Sequence, residues 1–140
     1  MANKIVKIYG PSGAGKTWVV RLFMAECTLT GEKAIDYNKM LYYRYDHPNV
    51  EEPVFVLGSY INVCGGLDTI ENTATVMKLI DELHDQGHIL MEGLLVSTYY
   101  GKLGDHSVRF GDDYIHAFLD TAANNHFMHV IQQIMLQGDS

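Results

Sequence analysis

The chain has 140 residues, 10 Lys plus Arg against 17 Asp plus Glu, and a formal net charge of −7. Hydrophobic residues make up 47% and charged residues 19%, which excludes a long disordered tail or a fibrous protein and fits a single domain, residues 1–140, with a real core. The acid excess argues against a protein that coats nucleic acid without sequence preference, because neutralising phosphates takes clustered Lys and Arg, and only Arg21, Arg44 and Arg109 are present.

Residues 4–9 (KIVKIY) alternate and are β-branched, so the pattern predicts a buried strand. A Gly-rich turn follows at 10–15. Apolar residues at helical spacing (Val19, Val20, Phe23, Met24, Cys27) then predict a helix over 16–28. Thr28 to Lys33 reads as a turn around Gly31. Residues 40–45 (MLYYRY) and 54–60 (VFVLGSY) read as strands, separated by the breakers Asp46-His47-Pro48-Asn49. A polar, Gly-bearing loop runs from Asn62 to Asp68. A helix is expected over 69–86, with Gly87 stopping it as a C-cap. Residues 88–97 (HILMEGLLVS) form a near-continuous apolar strand that contains one carboxylate, Glu92. Residues 99–113 look like a mobile, lid-like loop, 114–119 a strand, and 122–136 a final helix. Strands alternating with helices imply an α/β fold, a parallel sheet with helices on both faces.

Cys27 and Cys64 form no CxxC pair and read as two reduced thiols. No stretch reaches the roughly 18 apolar residues of a membrane span and no signal-peptide core is visible, so a soluble, cytoplasmic protein without a membrane partner is expected.

Gly10-Pro11-Ser12-Gly13-Ala14-Gly15-Lys16-Thr17 matches G-x-x-x-x-G-K-[ST] in full. Glycines let the backbone curl so that successive N–H groups face phosphate oxygens, and the helix that follows adds its positive dipole end. In that arrangement Lys16 reaches the β- and γ-phosphates of ATP and the Thr17 hydroxyl ligates Mg²⁺. A chance match is expected in roughly one random chain of this length in a few hundred. Here the motif also follows a predicted strand and opens a predicted helix, the context it needs.

Glu92 lies inside an apolar strand, where an unpaired carboxylate is costly. Beside a P-loop it reads as the Mg²⁺-supporting carboxylate, the Walker B role. Asp68, after Gly65-Gly66, has two readings: it or Thr69 caps the following helix, or it accepts the proton of an attacking hydroxyl. Lys102 and Arg109 are either lid cations closing over the transferring phosphate or solvated loop charges. His84 and His88 are four apart, but Gly87 lies between them, so no metal pair is expected. His126 and His129 read as surface residues. Tyr42, Tyr43, Tyr45, Tyr99 and Tyr100 read as strand and core residues rather than base-stacking ones.

The combination GPSGAGKT, YINVCGGLDTI, GHILMEGLLVS and FLDT resembles a group of small phage-encoded P-loop kinases. These are similar to the thymidylate-kinase-like enzymes that phosphorylate 5-hydroxymethyluracil in DNA during thymidine hypermodification. The resemblance spans about residues 3–121. It implies a P-loop NTPase fold like that of nucleoside monophosphate kinases, with the 88–97 strand beside the 4–9 strand. It also implies an ATP- and Mg²⁺-dependent kinase that moves the γ-phosphate onto a base hydroxymethyl group of modified DNA. Gly10 to Thr17 would hold ATP, Thr17 and Glu92 the metal, and Asp68 would be the base. The rivals are a small-molecule nucleoside or nucleotide kinase, against which the sparse Arg counts, and a degenerate nucleotide-binding module. The resemblance departs after FLDT, where such kinases continue with Pro and an Arg-bearing helix. Here AANNHFMHVIQQIMLQGDS follows, so the segment 122–140 is expected to be truncated or altered.

Overall fold

Ile5, Val6 and Ile8 are completely buried, and the strand that carries them organises everything around it. The computed structural model describes residues 3–9, 15–36, 39–61, 66–70, 73–93, 106–118 and 131–136. In chain order these form β1 (Ile5–Tyr9), α1 (Lys16–Ala25), β2 (Thr28–Asp36), β3 (Lys39–Asp46), β4 (Val54–Leu57), a 3-10 turn (Leu67–Thr69) and α2 (Thr73–Leu83). Then follow β5 (His88–Glu92), a 3-10 stretch (Val108–Asp113) and β6 (Tyr114–Phe118). Residues 131–136 form a last helical segment, α3.

The strands make one sheet in the order β2-β3-β4-β5-β1-β6. β4, β5, β1 and β6 run parallel, with Ile5 opposite both Ile89 and Tyr114 and Ile8 opposite both Glu92 and Ala117. The expected neighbourhood of the 88–92 and 5–9 strands is therefore found. The sheet as a whole is mixed, which corrects the expectation of a parallel one: β2 and β3 are antiparallel to each other, and β3 is antiparallel to β4. Connection length explains it. Two residues separate β2 from β3 and seven separate β3 from β4. A parallel crossover takes a dozen or more residues, so connections this short leave only antiparallel pairing.

Residues 28–33, expected as a turn, belong to the nine-residue β2. Gly31 sits at a shift in its register with β3 instead of reversing the chain. Leu29 and Ile35 on this edge strand remain about half exposed. The other boundaries move by a few residues. α1 ends at Ala25, β4 at Leu57, and α2 runs from Thr73 to Leu83. Gly87 lies beyond that helix; its N–H reaches the Leu83 carbonyl at 3.2 Å, and a Cβ there would collide with the Pro53 carbonyl oxygen. Part of the expected loop at 99–113 is the 3-10 stretch Val108–Asp113. Residues 94–97, 99–105 and 119–130, with the strand end, loop start and helix start expected there, lie outside the described residues.

Side chains alternate across the sheet, as strand geometry requires. Val6, Ile8, Val54, Val56 and Leu90 face α1 (Val19, Val20, Phe23) and α3 (Ile131, Met135). Ile5, Phe55, Leu57, Ile89 and Met91 face α2 (Val76, Leu79, Ile80, Leu83). Each such side chain contributes about 1.5–3 kcal/mol when fully buried. Both faces are thus covered by helices, as expected.

Candidate active site

Parallel strands end on the same side of a sheet, so the last residues of β5 and β1 lie together at one end of it. That is where the chain places Glu92 and the first residues of α1. Gly15 precedes the helix and accepts the Val19 N–H at 2.9 Å. No side chain caps the first turn and no acidic residue lies in it. The positive dipole end of α1 therefore meets no acidic side chain of its own first turn, and a helix start of this kind suits an anion. Lys16 and Thr17, both half-buried, are the first two helical residues.

The Thr17 hydroxyl donates to Glu92 Oε2 at 3.1 Å. The Tyr60 hydroxyl donates to the same oxygen at 2.8 Å. Glu92 is 2% exposed, and these two donors help a buried carboxylate keep its charge. Burial, then the charge of Glu92 and the hydrogen bond to it, push the Tyr60 phenol well above its usual range, while Arg21 pulls the other way. Tyr60 therefore remains a protonated donor. Tyr60 is held in place too: its backbone N–H donates to the Tyr43 hydroxyl at 2.9 Å, and the Arg21 guanidinium stands 5.4 Å from its ring centroid.

Gly66 packs against the other side of the carboxylate. A Cβ at this position would lie 2.5 Å from the Glu92 carbonyl oxygen and 2.6 Å from Cδ, and would also overlap Oε2. Gly66 pairs with Ser59 through an isolated antiparallel bridge. The Thr69 hydroxyl donates to the Gly66 carbonyl at 2.6 Å and accepts the Ser59 N–H at 2.8 Å. Thr69 thus ties the loops after β4 together and does not cap α2. Two motif segments far apart in sequence, CGGLDTI and MEGLLVS, meet through Gly66 and Glu92.

The structure brings Lys16, Thr17 and Glu92 to one end of the sheet. Gly10, Pro11, Ser12, Gly13, Ala14 and Lys102 lie outside the described residues, as do Cys64 and Gly65. Asp68 falls in the 3-10 turn beside Gly66, but its side chain lies outside the description. Arg109 sits elsewhere. The stretch that carries it precedes Tyr114, which pairs with Ile5, the first residue of β1, and Lys4 bridges to Asp113 at 2.9 Å. Arg109 is therefore at the amino end of the parallel strands, opposite Glu92. There it is drawn by Asp81, 3.5 Å away, and is 64% exposed.

The two histidines four apart take separate partners. His84 meets the Asn3 carbonyl at 3.2 Å. His88, wholly buried, meets Glu52 at 3.1 Å and accepts the Lys4 N–H at 2.9 Å; burial is the main cause of its lowered pKa. Among the described residues no group of three or more His, Cys, Asp or Glu could hold a metal. Hard oxygen donors of the Thr17 and Glu92 type suit Mg²⁺, which takes few protein ligands when phosphates supply the rest, so the residues present fit that ion. Sequence reasoning missed Tyr60, and it read Gly66, with Gly65, as room for a ligand and not for the Glu92 carboxylate. The signal was available in Glu92 itself, since a buried carboxylate demands donors and β4, the strand beside β5, leads straight to Tyr60.

No family model matches the chain, and no solved structure shows a significant match to it. A curated phage protein does match: the 5-hmdU DNA kinase of Pseudomonas phage PaMx11 is 32% identical over 101 residues. The chain is a distant relative of that kinase. The matched segment covers 69% of this chain and 51% of the relative, so the chain spans about half the length of the curated protein it matches. The resemblance read from GPSGAGKT, CGGLDTI and MEGLLVS points to the same kind of enzyme. No helix among the described residues is long and apolar enough to cross a membrane.

Proposed function

We propose that this chain is a P-loop kinase that transfers the γ-phosphate of ATP to a hydroxyl, with the hydroxymethyl group of 5-hydroxymethyluracil in phage DNA as acceptor. The observation that carries the reading is the 3.1 Å hydrogen bond from Thr17 to the buried Glu92. It joins the hydroxyl that ends a G-x-x-x-x-G-K-T motif to a carboxylate at the end of the neighbouring parallel strand, the pairing that phosphoryl transfer on a P-loop uses. The similarity to a 5-hmdU DNA kinase supports the same reading and is the ground for proposing hydroxymethyluracil as acceptor.

In this reading residues 10–17 and the uncapped start of α1 hold the triphosphate, and Lys16 spreads its charge over the β- and γ-phosphates. Thr17 and Glu92 would hold Mg²⁺, which when bound neutralises charge on those phosphates. Asp68, on the loop that touches Glu92, orients the acceptor hydroxyl and takes its proton. Arg109 has no part at the phosphates, being held at the other end of the sheet by Asp81. The work would take place in the host cytoplasm.

The test is transfer of labelled phosphate from ATP to oligonucleotides containing hydroxymethyluracil, beside thymine oligonucleotides and free nucleosides. The native chain is expected to label the hydroxymethyluracil strand, and Lys16→Ala to lose at least a hundredfold of that rate. Equal labelling by Lys16→Ala refutes the role of the motif. Labelling of free nucleosides alone replaces the acceptor with a small molecule. ATP binding without any transfer reduces the chain to a nucleotide-binding module.

A further inference from the structure

Glu92 Oε2 is the meeting point of two hydroxyls, yet only Thr17 belongs to the phosphate-binding motif. The second, Tyr60, comes from the chain just beyond β4 and is 5% exposed. A glutamate at a strand end has three side-chain torsions and can present either oxygen in many directions. To accept from Thr17, its carboxylate must point along the start of α1. Gly66 leaves room for the carboxylate on one side, since any side chain there would occupy the position of Oε2. Tyr60 holds the carboxylate with a 2.8 Å bond, shorter than the 3.1 Å bond from Thr17. The ring that delivers this hydroxyl is braced by Tyr43, whose own ring lies 6.2 Å away, and by Arg21.

We propose that Tyr60 is a positioning residue, its hydroxyl pinning the Glu92 carboxylate in the one orientation that also reaches Thr17 and so fits the pair to a nucleotide-bound divalent cation. The inference rests on the kinase reading given above. It differs from a packing role in what it predicts. A packing residue supports all ligands equally, whereas Tyr60 supports only the part of nucleotide binding that depends on the metal. Losing one hydrogen bond of ordinary net strength shifts binding by about two- to tenfold.

Calorimetry of ATP binding with and without Mg²⁺ tests this on the native chain, Tyr60→Phe, Tyr45→Phe and Glu92→Gln. The native chain is expected to bind ATP more tightly with Mg²⁺. Tyr60→Phe should lose about three- to tenfold of that gain and leave the Mg²⁺-free affinity within about twofold. Tyr45→Phe removes a hydroxyl from the same buried cluster, at a ring that packs on Tyr43 at 6.1 Å and not on the carboxylate, and should keep the gain. Placed on Glu92→Gln, Tyr60→Phe should cost nothing further, because the group it acts through is already altered. An unchanged Mg²⁺ gain in Tyr60→Phe overturns the proposal while leaving the kinase reading intact. An equal loss in Tyr45→Phe overturns it in favour of packing. No ATP binding by the native chain overturns the kinase reading and this inference together.

Discussion

The substitution Gly66→Ala puts the geometry of the site to a direct test. Gly66 has φ 87° and ψ −155°, a region open to glycine and costing other residues about 1–3 kcal/mol. A methyl group would also meet Glu92 on three atoms, with Cδ at 2.6 Å and the carbonyl oxygen at 2.5 Å. Both belong to β5, at the centre of a six-stranded sheet, and cannot retreat like the tip of an exposed chain. Overpacking of this kind costs about 1–3 kcal/mol, so the whole comes to about 2–6 kcal/mol against a total stability of roughly 5–15 kcal/mol. Gly111→Ala separates the two contributions. Gly111 also has a positive φ, 56°, but nothing lies within 4 Å of where its Cβ would stand; that variant should pay the backbone cost alone. Urea unfolding of the two variants beside the native chain gives the comparison. Gly66→Ala is expected to be the less stable by about 1–3 kcal/mol and to have weakened Mg²⁺-dependent ATP binding, since the group displaced is the Glu92 carboxylate. Equal stability of the two variants, with nucleotide binding intact, would refute the close contact between the Gly66 loop and Glu92.

Two further outcomes follow from buried titratable groups. Lys7 is 2% exposed in the middle of β1, and burial lowers its pKa from the ordinary 10.5. Between its folded pKa and 10.5 the unfolded chain holds more protons, so stability should rise with pH through that window and carry the full penalty below it. Lys7→Met should therefore stabilise the protein at pH 7 by about 1 kcal/mol or more and remove that slope in urea melts from pH 7 to 10; a less stable Lys7→Met would mean that the ammonium has a stabilising partner. Cys27 donates its thiol hydrogen to the Phe23 carbonyl at 3.2 Å, and burial, with the Glu26 and Asp46 charges, raises its pKa to about 12. Its thiolate is scarcer than that of an ordinary thiol by roughly a thousandfold at pH 8, so mass spectrometry should find its peptide unmodified after iodoacetamide treatment of the folded protein and modified after unfolding.

What could be read in the sequence was whatever a single local signal controls. β1, β5 and β6 were legible because each is a short, mostly apolar run, and Val19, Val20 and Phe23 because one helix face meets one sheet face. The strand β2 was not. TLTGEKAID carries no alternation, since this edge strand is exposed on most of its length. Its pairing with β3 comes from the two-residue separation of the strands and not from burial. The segment around Arg109 misled in the opposite way: a charge-rich run looks like a lid from composition alone, whereas its position is set by where β6 must start, opposite Ile5.

The site divides along the same line. Lys16, Thr17 and Glu92 announce themselves, the first two by a motif and the third by being a charge where an apolar strand should have none. Tyr60 has no local mark and Gly66 only its place in a Gly-Gly pair, because their roles at Glu92 exist only once β4 and β5 lie side by side. Tyr60 and Glu92, 32 positions apart in sequence, are brought to 2.8 Å by a sheet register. Yet the requirement for Tyr60 is written in Glu92: a carboxylate buried in a strand without donors would lose its charge or leave the core. Finding Glu92 by its cost therefore implies that a donor must exist on the adjoining strand or the loop it leads to. The donor is Tyr60, and its hydroxyl supplies what the motif residue Thr17 alone does not, a second fixed point for the carboxylate.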